Sequence, residues 1–187
     1  MKLVKILSIV LLVYTAAAGI LLEVPRLPIL NETIRVLYFH VPMWFTMIFL
    51  LLLSSVNAYK FISTKNIKYD LISYNYAHVG VYFGILGIIT GMIWANYTWG
   101  TFWTNDPKLN GSAIGLLIYF GYFILRNSIE DESKKAKVSS VYNVFAFSML
   151  IPLIFILPRL TDSLHPGNGG NPGFNVYDLN SQLRLVF

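Results

Sequence analysis

Five stretches of this chain, residues 6–22, 41–59, 75–95, 111–125 and 138–157, contain no Asp, Glu, Lys or Arg. Each is close to the roughly 20 apolar residues a helix needs to cross the hydrocarbon core of a bilayer. In that core only helices and closed barrels satisfy their own backbone hydrogen bonds. The runs are continuously apolar instead of alternating, so helices are expected. The expected fold class is therefore all-α: a polytopic transmembrane helix bundle with five spans, forming a single integral-membrane domain over residues 1–187.

Charge supports the same class. Only 12% of residues are charged, about half the share in an average soluble domain. The net charge of +5 sits in short loops beside apolar runs, a pattern that orients a protein in membrane lipid and carries no nucleic-acid signature. With no cysteine in the chain, disulfides, thiolate metal sites and the Cys-x-x-Cys-His attachment of c-type haem are excluded. Any metal must use other ligands.

The basic start at Lys2 and Lys5 before residues 6–22 has the look of a signal peptide. A retained first helix is preferred, because the run is long for a signal core and four more spans follow. An interfacial amphipathic turn is expected from Asn31, and Pro42 is expected near the first helical position of span two, with His40 in its first turn. In span three, Gly80, Gly84, Gly87 and Gly91 fall on one helical face and read as a packing seam. Residues 126–137 read as a charged, solvated loop, and Pro152 as a kink in span five. Residues 167–173 form a turn-rich stretch of Gly, Pro and Asn.

Counting Lys and Arg on alternate sides sets the orientation. The amino terminus and the loops at 60–68 and 126–137 hold Lys2, Lys5, Lys60, Lys65, Lys68, Arg126, Lys134, Lys135 and Lys137. The opposite side holds Arg26, Arg35, Lys108, Arg159 and Arg184. A cytoplasmic amino terminus follows, in a multi-pass protein. His40, the tryptophan-rich outer loop 96–110 and the outer loop 158–175 with His165 then share the outer surface, while His78 lies near the opposite end.

Two readings of that outer surface stand at this point. In one, His40 and His165 supply axial imidazoles to one haem iron. Trp44, Trp99, Phe102 and Trp103 would then face the porphyrin, and Arg35, Lys108 or Arg159 would meet its propionates. In the other, the tryptophans are an ordinary interfacial belt, the histidines are solvated helix ends, Asp106 caps the turn that follows and Lys108 snorkels.

The motifs point further. Trp99-Gly100-Thr101-Phe102-Trp103-Thr104-Asn105-Asp106-Pro107-Lys108-Leu109-Asn110 resembles the tryptophan-rich signature Trp-Gly-x-x-Trp-x-Trp-Asp-x-Arg-Leu-Thr of the cytochrome c maturation protein C family, the haem exporter protein C group. Tyr38-Phe39-His40-Val41-Pro42 and Leu164-His165-Pro166-Gly167 resemble its two flanking histidine segments. Asn105, Lys108 and Asn110 depart from the signature's Trp, Arg and Thr. The resemblance implies haem b held at the outer face of a bacterial inner membrane, with His40 and His165 as iron ligands. It places Trp99, Gly100, Trp103, Asp106 and Lys108 in the haem-presenting site.

It further implies delivery to a periplasmic haem chaperone during c-type cytochrome biogenesis, alongside subunits of an ATP-binding cassette complex. The chain itself has no phosphate-binding loop. A haem-delivery role is expected in preference to stand-alone enzyme activity. The alternatives are a cytochrome c synthase-type haem lyase and a small-molecule permease. The family usually has six spans, so Leu183–Phe187 reads as the first turn of a sixth, truncated helix.

Overall fold

The computed structural model of the chain describes residues 2–25 and 30–165. Five helices in it are long and apolar enough to cross a membrane, and the described residues contain no strand. The elements are α1 (Lys2–Leu21), a 3₁₀ turn (Asn31–Val36), α2 (Leu37–Thr64), α3 (Ile67–Trp99), α4 (Pro107–Asn127), α5 (Glu132–Ile151), a π-helical turn (Pro152–Ile156) and the short α6 (Leu157–Leu160). The glycine-rich stretch 167–173 and the expected sixth-helix start at Leu183–Phe187 lie outside the described residues.

Local chemistry explains the boundaries. Asn66, Asp106 and Asp131 cap the amino ends of α3, α4 and α5 by accepting from backbone N–H groups of Lys68, of Lys108 and Leu109, and of Lys134. Pro107 follows its cap at the first position of α4, where a missing N–H is harmless. The helices run past the uncharged stretches because these caps lie among the polar residues that flank them.

Two prolines behave differently from each other. Pro42 sits inside α2, which starts at Leu37 instead of at residue 41 as expected. The preceding 3₁₀ turn feeds directly into α2, so the helix is already under way when Pro42 arrives. Pro152 ends α5, and the chain widens into a π turn because that residue has no N–H to offer the carbonyl four positions back.

The core is built by α2 to α5. Met47 and Leu51 from α2, Ala77 and Val81 from α3, Leu116, Tyr119 and Tyr122 from α4, and Ala146 and Leu150 from α5 form one buried cluster. The glycine face of α3 is filled within the same chain, mostly by α2: an added Cβ at Gly80 would meet Leu51 at 3.0 Å, and one at Gly84 would meet Met47 at 2.7 Å and Leu116 of α4 at 2.6 Å. That close approach brings α2 and α3 together along most of their length.

Polar pairs fix the register deeper in the bundle. Asn143 Nδ2 donates to Ser54 Oγ at 2.7 Å and to Ser73 Oγ at 2.9 Å, tying α5 to α2 and α3. Arg126 does not lie in the solvated loop expected of it. It belongs to the last turn of α4, where its guanidinium forms a two-pronged pair with Asp70 at 2.8 and 2.6 Å and stacks over Tyr74 at 4.9 Å. A helix end is a tolerable place for such a pair, because each charge keeps a bidentate partner while it loses water.

Candidate functional site

At the other end of the bundle α5 and the π turn part company. α5 packs against both α2 and α4, whereas the π turn stays on α4, with Gly111 so close that an added Cβ would stand 2.3 Å from the Leu153 carbonyl oxygen. The space opened between α2 and the π turn is a cavity of about 290 Å³. Leu37, Val41, Trp44, Phe45 and Ile48 give it an apolar wall on the α2 side, and Ile154, Phe155 and Pro158 supply the wall opposite. His40, His165, Lys108 and Arg159 are the titratable groups on its lining.

His40 stands in the first turn of α2 above the bare backbone of α3. An added Cβ at Gly91 would lie 2.8 Å from its Cε1, and one at Gly87 would lie 2.9 Å from Trp44. The upper half of the glycine seam therefore makes room for the site. Trp44 and Trp94 meet the His40 ring edge-on at 6.1 and 6.0 Å. His40 Nδ1 lies 3.0 Å from Thr90 Oγ1, and Trp94 is itself anchored by donating from Nε1 to Thr33 Oγ1 at 3.2 Å.

His165 is held from below by Asp106. Asp106 Oδ1 accepts from the His165 ring at Nδ1 (2.9 Å) and from the backbone N–H groups of Lys108 (2.9 Å) and Leu109 (3.2 Å). Its Oδ2 accepts from Ser163 Oγ (2.8 Å) and the Leu164 N–H (2.7 Å). One carboxylate thus caps α4 and fastens the segment that carries His165. Burial alone pushes the Asp106 carboxyl up, but the His165 ring and the Leu164 and Ser163 donors outweigh it and hold the group well below the usual carboxylate range. Trp99 meets the His165 ring edge-on at 5.2 Å.

The residues expected at this site divide into three groups. His40, His165, Lys108 and Arg159 line the cavity together with Trp44. Asp106 and Trp99 touch His165 instead of the cavity wall. Gly100 closes α3 in the left-handed region at φ 77°, its N–H bonded to the Asn96 carbonyl. Trp103 and Phe102 are exposed away from the cavity, and the Trp103 indole donates to Asn110 Oδ1 at 3.2 Å.

Arg35, one of three cations considered for an anionic ligand, is engaged elsewhere. It pairs with Glu32 at 2.8 Å and donates to the Gly19 and Leu22 carbonyls at the end of α1. His78 lies in a ring cluster with Tyr74, Tyr82 and Phe123, remote from the cavity lining. Thr90, Trp94 and the seam glycines 87 and 91 complete the surroundings of His40 and carry no motif of their own. Only their helical spacing on α3 hinted that they share a face.

The family model for heme exporter protein C matches residues 1–169 of this chain. The chain belongs to the heme exporter protein C family. Among curated relatives, Heme exporter protein C of Rhodobacter capsulatus is 28% identical over 172 residues, covering 84% of this chain and 69% of that relative. Heme exporter protein C of Bradyrhizobium diazoefficiens is 25% identical over 135 residues, 72% of this chain and 51% of the relative. A cytochrome c biogenesis protein CcsA of Prochlorococcus marinus is 43% identical over 65 residues, 35% of this chain and 21% of the relative. The chain spans about half the length of the first curated relatives it matches.

Proposed function

We propose that this chain holds haem b at the outer face of a bacterial inner membrane and delivers it to a periplasmic haem chaperone during c-type cytochrome biogenesis. The single observation that carries this reading is the pairing of His40 and His165 on one apolar cavity that Lys108 and Arg159 also line. That donor set suits haem. Imidazole nitrogens ligate the iron, apolar and aromatic walls take the porphyrin, and Lys108 and Arg159 suit the propionates.

The haem brings the vinyl groups and the iron; the chain's part is to bind and orient them. Asp106 accepts the Nδ1 proton of neutral His165, which leaves Nε2 as its free lone pair. Trp44 and Trp94 restrict His40 from two sides. Fixing the ring in one pose while an edge stays accessible lets orientation carry much of the transfer to a partner. With the amino terminus cytoplasmic, the cavity faces the periplasm, where a membrane-anchored chaperone can reach it. Any ATP hydrolysis belongs to ATP-binding cassette subunits of a larger complex.

A second reading, direct attachment of haem to apocytochrome, draws on the shared stretch with the CcsA relative. It ranks behind because that stretch covers a small part of that relative. A permease reading has less support: Ser54, Ser73 and Asn143, fully buried in the bundle, bond one another instead of lining an open path.

The test is the optical spectrum of the protein purified in detergent with haem. The parent is expected to show a low-spin, six-coordinate spectrum, and His40→Ala and His165→Ala are each expected to lose it. An unchanged Soret band and unchanged haem occupancy in both variants would overturn the axial-ligand assignment.

A further inference from the structure

We propose that Thr90 is a positioning residue that steadies His40, and that His40, held by neutral partners alone, would be the axial ligand that releases first. The proposal rests on the haem reading given above. Thr90 Oγ1 lies 3.0 Å from His40 Nδ1, and it also lies 2.9 Å from the Leu86 carbonyl and 3.1 Å from the Gly87 carbonyl of its own helix. A helical threonine commonly gives its hydroxyl proton to such a carbonyl. The hydroxyl proton is then committed to the backbone, and the oxygen faces His40 with a lone pair.

His40 Nδ1 therefore carries the ring proton, which Thr90 Oγ1 accepts, and the Gly87 backbone is a further neutral partner of the same ring. A neutral imidazole has one N–H and one acceptor nitrogen, so Nε2 is left as the electron pair available to a metal. Space reinforces the choice, because the ring stands directly over Gly91, where even a methyl group would collide with Cε1 at 2.8 Å. With Trp44 and Trp94 edge-on to it, the ring has little freedom to turn.

The two histidines are supported unequally. His165 Nδ1 gives its proton to the Asp106 carboxylate, a charged acceptor that raises the basicity of the opposite nitrogen. His40 has only neutral partners, the Thr90 hydroxyl, whose own proton is spent on the helix, and the Gly87 backbone. A bond from His40 to a haem iron would therefore be the weaker of the two, and the first to give way when a partner takes the haem. Gly87, Thr90 and Gly91 then form one device on α3: two glycines make room for Trp44 and His40, and the threonine between them sets which nitrogen faces the cavity.

The experiment measures cyanide binding to the ferric haem-loaded protein, since cyanide enters only after one histidine leaves. Thr90→Val keeps the shape and removes the acceptor, and cyanide uptake is expected to accelerate by roughly 10–100-fold, the usual scale for losing an outer partner of a metal-binding histidine. Thr90→Ser restores the hydroxyl and is expected to restore the parent rate. Asp106→Asn is expected to accelerate uptake less than Thr90→Val does. A Thr90→Val rate equal to the parent, or a Thr90→Ser rate equal to that of Thr90→Val, would overturn the positioning role. A larger acceleration from Asp106→Asn would overturn the order of release. Failure of the haem reading is separately visible, because the parent would then give no six-coordinate spectrum before cyanide is added.

Discussion

Replacing Asp106 with Ala removes one carboxylate that five donors share, and the cost can be built up donor by donor. Losing the cap on α4 costs about 1 kcal/mol. The contacts to Ser163 Oγ, the Leu164 N–H and the His165 ring are part-buried, and a hydrogen bond of this kind contributes about 1 kcal/mol net. The expected loss is therefore about 4 kcal/mol. Asp106→Asn separates the terms. Asparagine caps helices as well as aspartate does, but its amide nitrogen would meet two further donors at Ser163 and Leu164, so about 2 kcal/mol is expected. The assay is SDS-driven unfolding of the haem-free protein in mild detergent, followed by tryptophan fluorescence. An Ala variant within about 1 kcal/mol of the parent, or an Asn variant as damaged as the Ala variant, would refute the view that this carboxylate fastens the His165 segment to α4.

Three further outcomes test the frame of the bundle. Arg126→Met leaves the Asp70 carboxylate buried without its partner and is expected to cost about 3–5 kcal/mol, with much of the loss recovered in the double variant Asp70→Asn/Arg126→Met; the same unfolding assay checks both. Gly111→Ala drives a methyl group into the Leu153 carbonyl, backbone that cannot turn aside, and is expected to lower stability by at least about 2 kcal/mol. Gly100→Ala, with open space but a left-handed backbone, is expected to cost only about 1 kcal/mol.

Much of the fold was legible because a bilayer punishes alternatives. Uncharged runs such as 41–59 and 138–157 can do little else than cross as helices. The helix ends were less legible: Pro42 reads as a helix start and proves to be interior, because the 3₁₀ turn before it had already set the winding. Arg126 reads as a loop cation, since its charge lies near Glu130, Asp131 and Glu132 in sequence, while its partner Asp70 is 56 positions away. The candidate site shows the same division. His40, His165, Asp106 and Lys108 are marked by motif, but the support that Asp106 gives to His165 spans 59 positions and leaves no local trace. Thr90 is less visible still, an ordinary threonine in an apolar helix.

Taken alone, the amino-acid sequence determined the helical class, the five crossings and the gathering of His40, the tryptophan loop and His165 at one end of the bundle. Those follow from hydropathy and from alternation across the membrane, which are properties of segments. The tertiary structure decided what each side chain does there. It put Lys108 and Arg159 on the cavity and Arg35 on the end of α1, turned Trp103 outward, and set Asp106 and Thr90 behind the two histidines. Such roles depend on the angular register between helices, fixed by contacts such as Gly91 under His40 and Gly111 against Leu153, and no single segment encodes that register.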